Sequence, residues 1–270
     1  MSNFFYRLLR FVKKSPAEQV RLLVKKMRQI FAIPFYFGHS FIKNVYIAYQ
    51  PDSYASFNQN SDFKTLFRSF IKYNKLNNSG DIPRLWLFIM NIQKIIDDGI
   101  EGDFAEVGVW RGNTASILAH YAFRNQRKVY LFDTYQGFDK SDLKGIDADQ
   151  SVLFENTSIE LVANVLGDTK DVCEFVKGYF PDSISQEHRS KKYAVVSLDC
   201  DLYEPMAEGL NFFYPLMPEG GLFLLHDYHS LHWPGTKKAV DEFVAATGEF
   251  LILIPDKSGS AVIRKSSSSI

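Results

Sequence analysis

Short apolar runs alternate with amphipathic segments between residues 100 and 265 of this 270-residue chain. The runs are rich in β-branched and aromatic residues and are bounded by glycine, proline or charge, which is typical of buried parallel strands. They are DFAEVGV at 103–109, KVYLFD at 128–133, VCEFV at 172–176, YAVVSLD at 193–199 and GLFLLHD at 221–227. Helix-compatible segments lie at Asn113–Asn125, Ile159–Leu166, Glu204–Leu216 and Thr236–Ala246. This alternation predicts right-handed crossovers and a doubly wound, Rossmann-like α/β sheet.

Two further features complete the predicted domain. The stretch FLILIPDKSGSAVIRK at 250–265 has two apolar runs around Asp-Lys-Ser-Gly, which predicts a β-hairpin and therefore a mixed, seven-stranded sheet. Upstream, Pro83 suits a first helical turn, and apolar residues then recur at helical spacing until Gly99. We therefore predict a core-facing helix that ends near residue 98.

The first 80 residues have a different character. Residues 31–80 show little clean periodicity, which predicts short helices and loops. Residues 1–30 carry eight Lys and Arg residues against one acid, Glu18, interleaved with apolar side chains. A helix there could pack on a sister subunit or the main domain, which we favour, or lie on an anionic membrane surface. We expect a helical lid or oligomerisation extension at 1–80, the α/β domain at 81–265 and a solvated tail at 266–270.

Composition narrows the class of partner. The chain has 31 Lys and Arg residues and 31 Asp and Glu residues, so its formal net charge is zero. It therefore has no overall positive potential that would attract nucleic acid, and we expect a small-molecule partner. The two cysteines, Cys173 and Cys200, lack CxxC spacing, which suits a reducing cytoplasm and argues against a structural zinc. No apolar run reaches the roughly 18 residues of a membrane span, and no signal peptide is recognisable. We expect a cytoplasmic homo-oligomer, with peripheral membrane contact through residues 1–30 left open.

A glycine turn follows the first predicted strand. Its sequence, EVGVWRGNT, contains Glu106, Gly108, Gly112, Asn113 and Thr114. Such a turn before a helix allows a ligand to approach the backbone closely, but G-x-x-x-G is not the G-x-G-x-x-G of dinucleotide-binding proteins. Asp133 closes the second strand, where an acid can accept both hydroxyls of a ribose. With Glu106 near an amino group, these features predict a pocket for S-adenosylmethionine; Glu106 as a helix-facing acid and Asp133 as a loop cap are the alternatives.

Acidic residues follow the fourth and fifth predicted strands. Asp199 and Asp201 end the fourth strand, and His226 and Asp227 end the fifth. The carboxyl ends of neighbouring parallel strands meet at one edge of a sheet, so these side chains should lie close together. Three or four such donors in one cleft predict a divalent metal site.

Five motifs in order resemble the macrocin O-methyltransferase family of class I methyltransferases, which act on sugar hydroxyls. The motifs are DFAEVGVWRGNTASIL, LFDTYQGF, SLDCDLYEP, FYPLMPEGGLFLLHDYHS and WPGTKKAVDEF, and the likeness covers about residues 81–265. It implies an S-adenosylmethionine-dependent O-methyltransferase for a glycosylated metabolite or polysaccharide precursor. The same resemblance implies that Asp199 and Asp227 are ligands of a Mg²⁺-like ion and that Asp201 is the general base. Gly178, Tyr179 and Phe180 would surround adenine, unless they form a plain turn, and Asp199 also counts among the cofactor-binding residues.

The chain departs from the family at His226, where an acid is usual. Imidazole removes one negative charge and shifts the preference from Mg²⁺ toward Mn²⁺, Fe²⁺ or Zn²⁺. His229 could hydrogen-bond substrate and is kept with Asp201 as a catalytic candidate, although a solvated loop histidine is the more common case, and more so for His232. Two other functions stay open: a binding protein that has lost catalysis through His226, and a nucleotide-sugar oxidoreductase, which the glycine spacing opposes.

Overall fold

Seven strands form one mixed sheet in the order β3-β2-β1-β4-β5-β7-β6. The computed structural model describes residues 62–267. The strands are β1 (Asp103–Val107), β2 (Val129–Asp133), β3 (Cys173–Lys177), β4 (Tyr193–Leu198), β5 (Leu222–Leu225), β6 (Leu251–Leu253) and β7 (Ala261–Arg264). The first five are parallel, whereas β7 pairs antiparallel with β5 and with β6. The predicted doubly wound sheet with a C-terminal antiparallel hairpin is therefore confirmed.

Helices cover both faces of the sheet. They are α1 (Phe63–Ile71), α2 (Lys75–Asn78), α3 (Ile82–Asp97), α4 (Ala115–Arg124), α5 (Ile159–Leu166), α6 (Gln186–Arg189), α7 (Tyr203–Leu216) and α8 (Pro234–Thr247). Apolar residues of α1, α3, α4 and α5 pack on one face of the sheet, and those of α7 and α8 pack on the other. The predicted core-facing helix ending near residue 98 is α3, which starts with its proline in the first turn.

The two helices before α3 belong to this packed unit. Leu66 and Phe70 of α1 are almost fully buried, and the Asn78 side chain donates to the Phe70 carbonyl over 2.7 Å. The predictions for residues 1–30 and for most of 31–80 lie outside the described residues, as does the end of the predicted tail. Within residues 62–267, none of the helices combines the length and the hydropathy that crossing a membrane requires.

The strand order reverses between β2-β1 and β4-β5, on either side of the contact between β1 and β4. In open parallel sheets, ligands bind beyond the carboxyl ends of the strands at such a switch point. The polypeptide after β1 and after β4 is correspondingly close, because a Cβ added to Gly108 would lie 2.1 Å from the Asp199 carbonyl oxygen.

Candidate active site

A cavity of about 340 Å³ opens at the carboxyl ends of β1, β2, β4 and β5. Its walls, within the described residues, include most of the side chains singled out in the sequence. These are Gly108, Asn113, Thr114, Asp133, Gly178, Tyr179, Phe180, Asp199, Asp201, His226 and Asp227. Residues as distant in the chain as Gly108 and Asp227 therefore share one cavity, as the predicted topology requires.

Gly108 holds the turn after β1 in a backbone conformation that favours glycine, with φ at +82°. Its α-carbon hydrogen faces the Asp199 carbonyl so closely that no side chain fits between them. Gly112, with φ at +75°, packs instead against Val162 of α5 and does not line the cavity. Gly108 therefore allows the segment directly after β4 to approach the turn, whereas Gly112 allows α5 to approach it.

Asp133 fixes the same turn from the end of β2. The N–H groups of Val109 and Trp110 donate to its Oδ2 over 2.7 and 2.8 Å, and that of Tyr135 donates to Oδ1 over 2.6 Å. A carboxylate offers about four lone-pair directions, so capacity remains for a ligand. Asp133 is thus a loop cap that also lines the cavity, and the two interpretations of the sequence are compatible.

Glu106 lies behind the cavity wall rather than on it. It is fully buried, and the Ser197 hydroxyl donates to its Oε1 over 3.1 Å. Burial raises the pKa of Glu106 to about 8, although Thr114 and Ser197 oppose the shift. Asn113 also turns partly away from the cavity, since its amide donates to the Lys72 carbonyl at the end of α1 over 2.6 Å.

Gly178, Tyr179 and Phe180 line the cavity beyond β3, on the same side as Asp133. The Tyr179 hydroxyl donates to Oδ1 of Asp142 over 2.6 Å, which ties the β3 end to the loop after β2. Phe180 is buried and contacts the aromatic ring of Phe132 in β2. Gly178, Tyr179 and Phe180 thus form one side of the cavity, and contacts with Asp142 and Phe132 hold this side in place.

Asp199, His226 and Asp227 form a compact cluster on β4 and β5. One potential ligand atom from each lies within 4.8 Å of the others. Nδ1 of His226 is 2.7 Å from Oδ1 of Asp199 and also contacts Oδ2 of Asp227. Two carboxylates and one imidazole are donors that suit a divalent transition ion better than Mg²⁺, so the residues fit the predicted metal site.

Two cationic side chains, those of Arg84 and protonated His226, lie against the Asp199 carboxylate. Burial opposes ionisation of Asp199, but Arg84 and His226 outweigh it and hold the pKa of Asp199 well below its usual range. Burial and Arg84 oppose charging of His226, yet Asp199 and Asp227 raise its pKa to about 10. Metal binding through Nδ1 must therefore displace a proton.

Asp201 also lines the cavity, together with Asp199 and Asp227. It is almost fully buried and adopts a left-handed backbone conformation, with φ at +62°. Burial, together with the neighbouring Asp227 and Asp199, raises the pKa of Asp201 well above its usual value. A carboxylate with a raised pKa in a substrate-sized cavity is a suitable proton acceptor.

Arg84 is a site residue that the sequence analysis missed. It lies in the first turn of α3, its side chain is 8% exposed, and its Nη2 is 2.5 Å from Oδ2 of Asp199. A signal was present, because Arg84 is one helical turn before Phe88 on the buried face of α3. A charge on an otherwise apolar helical stripe requires a buried partner.

Aromatic side chains form a second wall that was also missed. Phe138 and Phe154 lie in the loop after β2, and Trp110 and Trp233 face them. Phe138 contacts Trp233, and Phe154 contacts Trp110, with ring centroids 5.6 and 5.3 Å apart. The same cavity is also lined by polar residues, which are Asn74, Asn77, Asn78, Asp81, Lys257 and Ser258.

The cavity walls do not include His229, His232 or Arg111. His229 is exposed beside a separate surface depression with Tyr228 and Lys237, so the geometry does not support its catalytic role. His232 is exposed as well. Arg111 donates to the carbonyls of Tyr73 and Asn156, which makes it a loop-capping residue.

The profile of the family Macrocin-O-methyltransferase (TylF) matches residues 82–250, well over half of the chain. Mycinamicin III 3''-O-methyltransferase of Micromonospora griseorubida is 27% identical over 197 residues, 67% of this chain and 72% of that protein. The 8-demethyl-8-(2,3-dimethoxy-alpha-L-rhamnosyl)-tetracenomycin-C 4'-O-methyltransferase of Streptomyces olivaceus is 29% identical, over 51% of this chain and 57% of its own length.

Among solved structures, the O-methyltransferase NovP is similar in fold. Its TM-score is 0.57 at 24% sequence identity, and the match covers 68% of this chain and 80% of that chain. The predicted class I methyltransferase architecture is confirmed by this likeness and by the strand order described above.

Proposed function

Since the chain belongs to the macrocin O-methyltransferase family, we propose that it transfers the methyl group of S-adenosylmethionine to a sugar hydroxyl of a glycosylated metabolite or polysaccharide precursor. The observation that carries this proposal is the cavity itself. It joins the Gly108 turn and Asp133 to the cluster of Asp199, His226 and Asp227. A methyl donor and a metal-held acceptor would then meet in one enclosed space.

Support for the cofactor position comes from Asp133 and the wall after β3. Asp133 retains acceptor capacity for ribose hydroxyls after binding three N–H groups. Gly178, Tyr179 and Phe180 stand beside it, where an adenine would lie between backbone and aromatic surface. Glu106 and Gly112 act through the turn that they support, because neither lines the cavity.

The walls around the remaining space support a sugar acceptor. Phe138, Phe154 and Trp233 offer apolar ring faces to the C–H groups of a sugar, while the polar residues that line the same cavity offer amides, a hydroxyl and Lys257 to its hydroxyls. A pyranose has both kinds of surface. The name of the Streptomyces olivaceus relative specifies a rhamnosyl compound as its substrate, and a sugar-bearing acceptor is proposed for this chain.

Asp199, His226 and Asp227 would hold a divalent ion, Mg²⁺ or, because of the imidazole, Mn²⁺ or another transition ion. A bound ion would lower the pKa of the acceptor hydroxyl. The hydroxyl oxygen then attacks the methyl carbon in line with the breaking S–C bond, and S-adenosylhomocysteine leaves. Asp201 takes the hydroxyl proton. His229 has no part in this proposal, since it lies outside the cavity.

The experiment is methyl transfer from isotopically labelled S-adenosylmethionine to a panel of glycosides, nucleotide sugars and glycolipids, with chelated enzyme and each metal restored in turn. We expect labelled product with at least one sugar acceptor and none with the corresponding aglycones. Asp201→Asn should lower kcat by roughly 10²-fold or more while S-adenosylhomocysteine still binds. Binding of NAD instead of S-adenosylhomocysteine would overturn the proposal in favour of an oxidoreductase.

A further inference from the structure

The backbone of Asp201 adopts a left-handed conformation, with φ at +62°, that is uncommon for a residue with a side chain. Neighbouring groups help to maintain it. One such group is Thr236 in α8, which is fully buried and donates through Oγ1 to the Asp201 carbonyl over 2.8 Å. The position of the proposed base therefore depends on the start of α8.

A second support comes from a distant part of the chain. Asp147 is 1% exposed, and its Oδ2 accepts the N–H of Tyr203, the first residue of α7, over 2.7 Å. Tyr203 is two residues after Asp201. The Asp147 carboxylate thus closes the backbone turn that begins at the proposed base.

The same carboxylate also touches the start of α8. A Cβ added to Gly235 would lie 2.5 Å from both oxygens of Asp147 and 2.7 Å from the Tyr203 nitrogen. Gly235 directly precedes Thr236, which holds the Asp201 carbonyl. Asp147 therefore sits between the first residues of the two helices that follow β4 and β5.

Asp147 belongs to the loop at residues 134–158, which carries Phe138 and Phe154 of the aromatic wall. The loop is closed on itself, since the Phe138 N–H donates to the Leu153 carbonyl over 3.2 Å. Gln150 adds a second attachment by donating to the His232 carbonyl over 2.7 Å. The contacts of Asp147 consequently join the aromatic wall to the backbone around Asp201.

We propose that Asp147 is a positioning residue that couples the seating of the aromatic loop to the presentation of Asp201. When the loop is seated, Asp147 fixes the starts of α7 and α8, and Thr236 then holds Asp201 toward the cavity. When the loop leaves, both supports loosen together. The inference rests on the proposed function only in assigning Asp201 as the base; the mechanical coupling stands on the contacts alone.

Two variants disturb this contact from opposite sides. Asp147→Asn places an amide NH₂ among backbone N–H donors, and Gly235→Ala pushes a methyl group against an intact Asp147. Each should lower kcat by roughly tenfold to a hundredfold through displacement of the base, without changing the affinity for S-adenosylhomocysteine. Because both break the same contact, the double variant should be no worse than the more severe single variant.

Hydrogen exchange measured by mass spectrometry provides the readout that does not require activity. In both variants, peptides from residues 134–158 and peptides containing the Tyr203 amide should lose protection together. Thr236→Val should lower kcat while the loop keeps its protection, since it removes only the hydrogen bond from Thr236 to the Asp201 carbonyl and leaves the Asp147 contacts in place. Asp149→Asn, an exposed acid of the same loop, is the matched control and should behave like the wild type.

The coupling would be overturned by additive losses in the double variant, or by loss of protection confined to the loop. An unchanged kcat with both regions deprotected would instead reject Asp201 as the base and leave the coupling intact. If Asp147→Asn does not fold, Gly235→Ala and Thr236→Val still decide the question.

Discussion

Nδ1 of His226 lies 2.7 Å from Oδ1 of Asp199. An imidazole therefore lies beside this aspartate at a position where the family resemblance implies an acidic side chain. The imidazole contacts Asp227 as well, and the three side chains offer two oxygen ligands and one nitrogen ligand. Nitrogen favours transition ions over Mg²⁺. We therefore expect residue 226 to set the metal preference of the proposed site.

Replacing His226 with aspartate should restore a hard oxygen ligand and one negative charge. We expect His226→Asp to shift the ratio of Mg²⁺ to Mn²⁺ affinity toward Mg²⁺ by about tenfold or more. Calorimetric titration of chelated protein with each ion measures this ratio. An unchanged ratio would mean that residue 226 does not contact the ion.

Arg84→Met should leave Asp199 buried with one cation fewer. Breaking a buried ion pair by removing one partner costs about 3 kcal/mol or more, and the side chains of Arg84 and Asp199 are 8% and 20% exposed. We expect the free energy of unfolding to fall by about that amount in metal-free protein, and Mn²⁺ to restore part of it. Urea unfolding with and without the ion measures both effects.

Arg127→Met is the matched control for that experiment. Arg127 donates to the carbonyls of Gly102 and Ile100 at the opposite end of the sheet. Its replacement should cost about 1–2 kcal/mol of hydrogen bonding with no recovery on adding Mn²⁺. Equal losses and equal insensitivity to the ion in both variants would show that Arg84 has only a packing role.

Glu106 should make stability depend on pH. Its pKa is raised from 4.5 to about 8 by burial, so the folded protein holds a proton that the unfolded chain releases above its own pKa. This contribution is complete below about pH 4.5 and is lost as pH rises toward about pH 8, at up to roughly 1.4 kcal/mol per unit. Glu106→Gln should therefore gain stability relative to the wild type as pH rises through this window.

Urea unfolding of both proteins at about pH 5.5 and about pH 7.5 provides the measurement. The difference in free energy of unfolding should change in favour of Glu106→Gln at the higher pH. Parallel pH dependence of the two proteins would mean that Glu106 is already ionised in the folded state.

Gly108→Ala should disrupt both the turn and the contact between β1 and β4. The added methyl group would lie 2.1 Å from the Asp199 carbonyl oxygen, and φ is +82°. We expect a loss of more than about 3 kcal/mol, together with loss of S-adenosylhomocysteine binding. Gly248→Ala is the control, because Gly248 has φ at +73° with open space around it, and should lose only about 1 kcal/mol. Similar losses in the two variants would mean that the cost of the Gly108 substitution comes from its positive φ alone and not from the contact with the Asp199 carbonyl.

The sequence predicted the sheet and the strand-end acids because both follow from local patterns. Apolar runs identified the strands, and the shared carboxyl edge placed Asp199 near His226 and Asp227. Arg84 was missed because the apolar residues around it made α3 resemble a purely core-facing helix. A salt bridge to a residue 115 positions away has no local signal apart from the misplaced charge.

The walls of the cavity were less predictable for a related reason. Phe138, Phe154 and Trp233 lie in irregular segments, where hydrophobic periodicity carries no information. Asp147 has no local signal in the sequence either, because its contacts depend on how three separate segments converge. Whether residues 1–30 pack on protein or on a membrane surface stays a prediction, since they precede the described part of the chain.

We propose that Asp199, His226 and Asp227 hold a divalent ion beside the cofactor cavity. This proposal is tested most directly by Mn²⁺ titration of chelated enzyme saturated with S-adenosylhomocysteine, followed by electron paramagnetic resonance, for the wild type and for Asp227→Asn. We predict one bound ion per chain in the wild type and at least about tenfold weaker binding in the variant. Equal binding by both proteins, or no binding by the wild type while methyl transfer proceeds, would contradict the account.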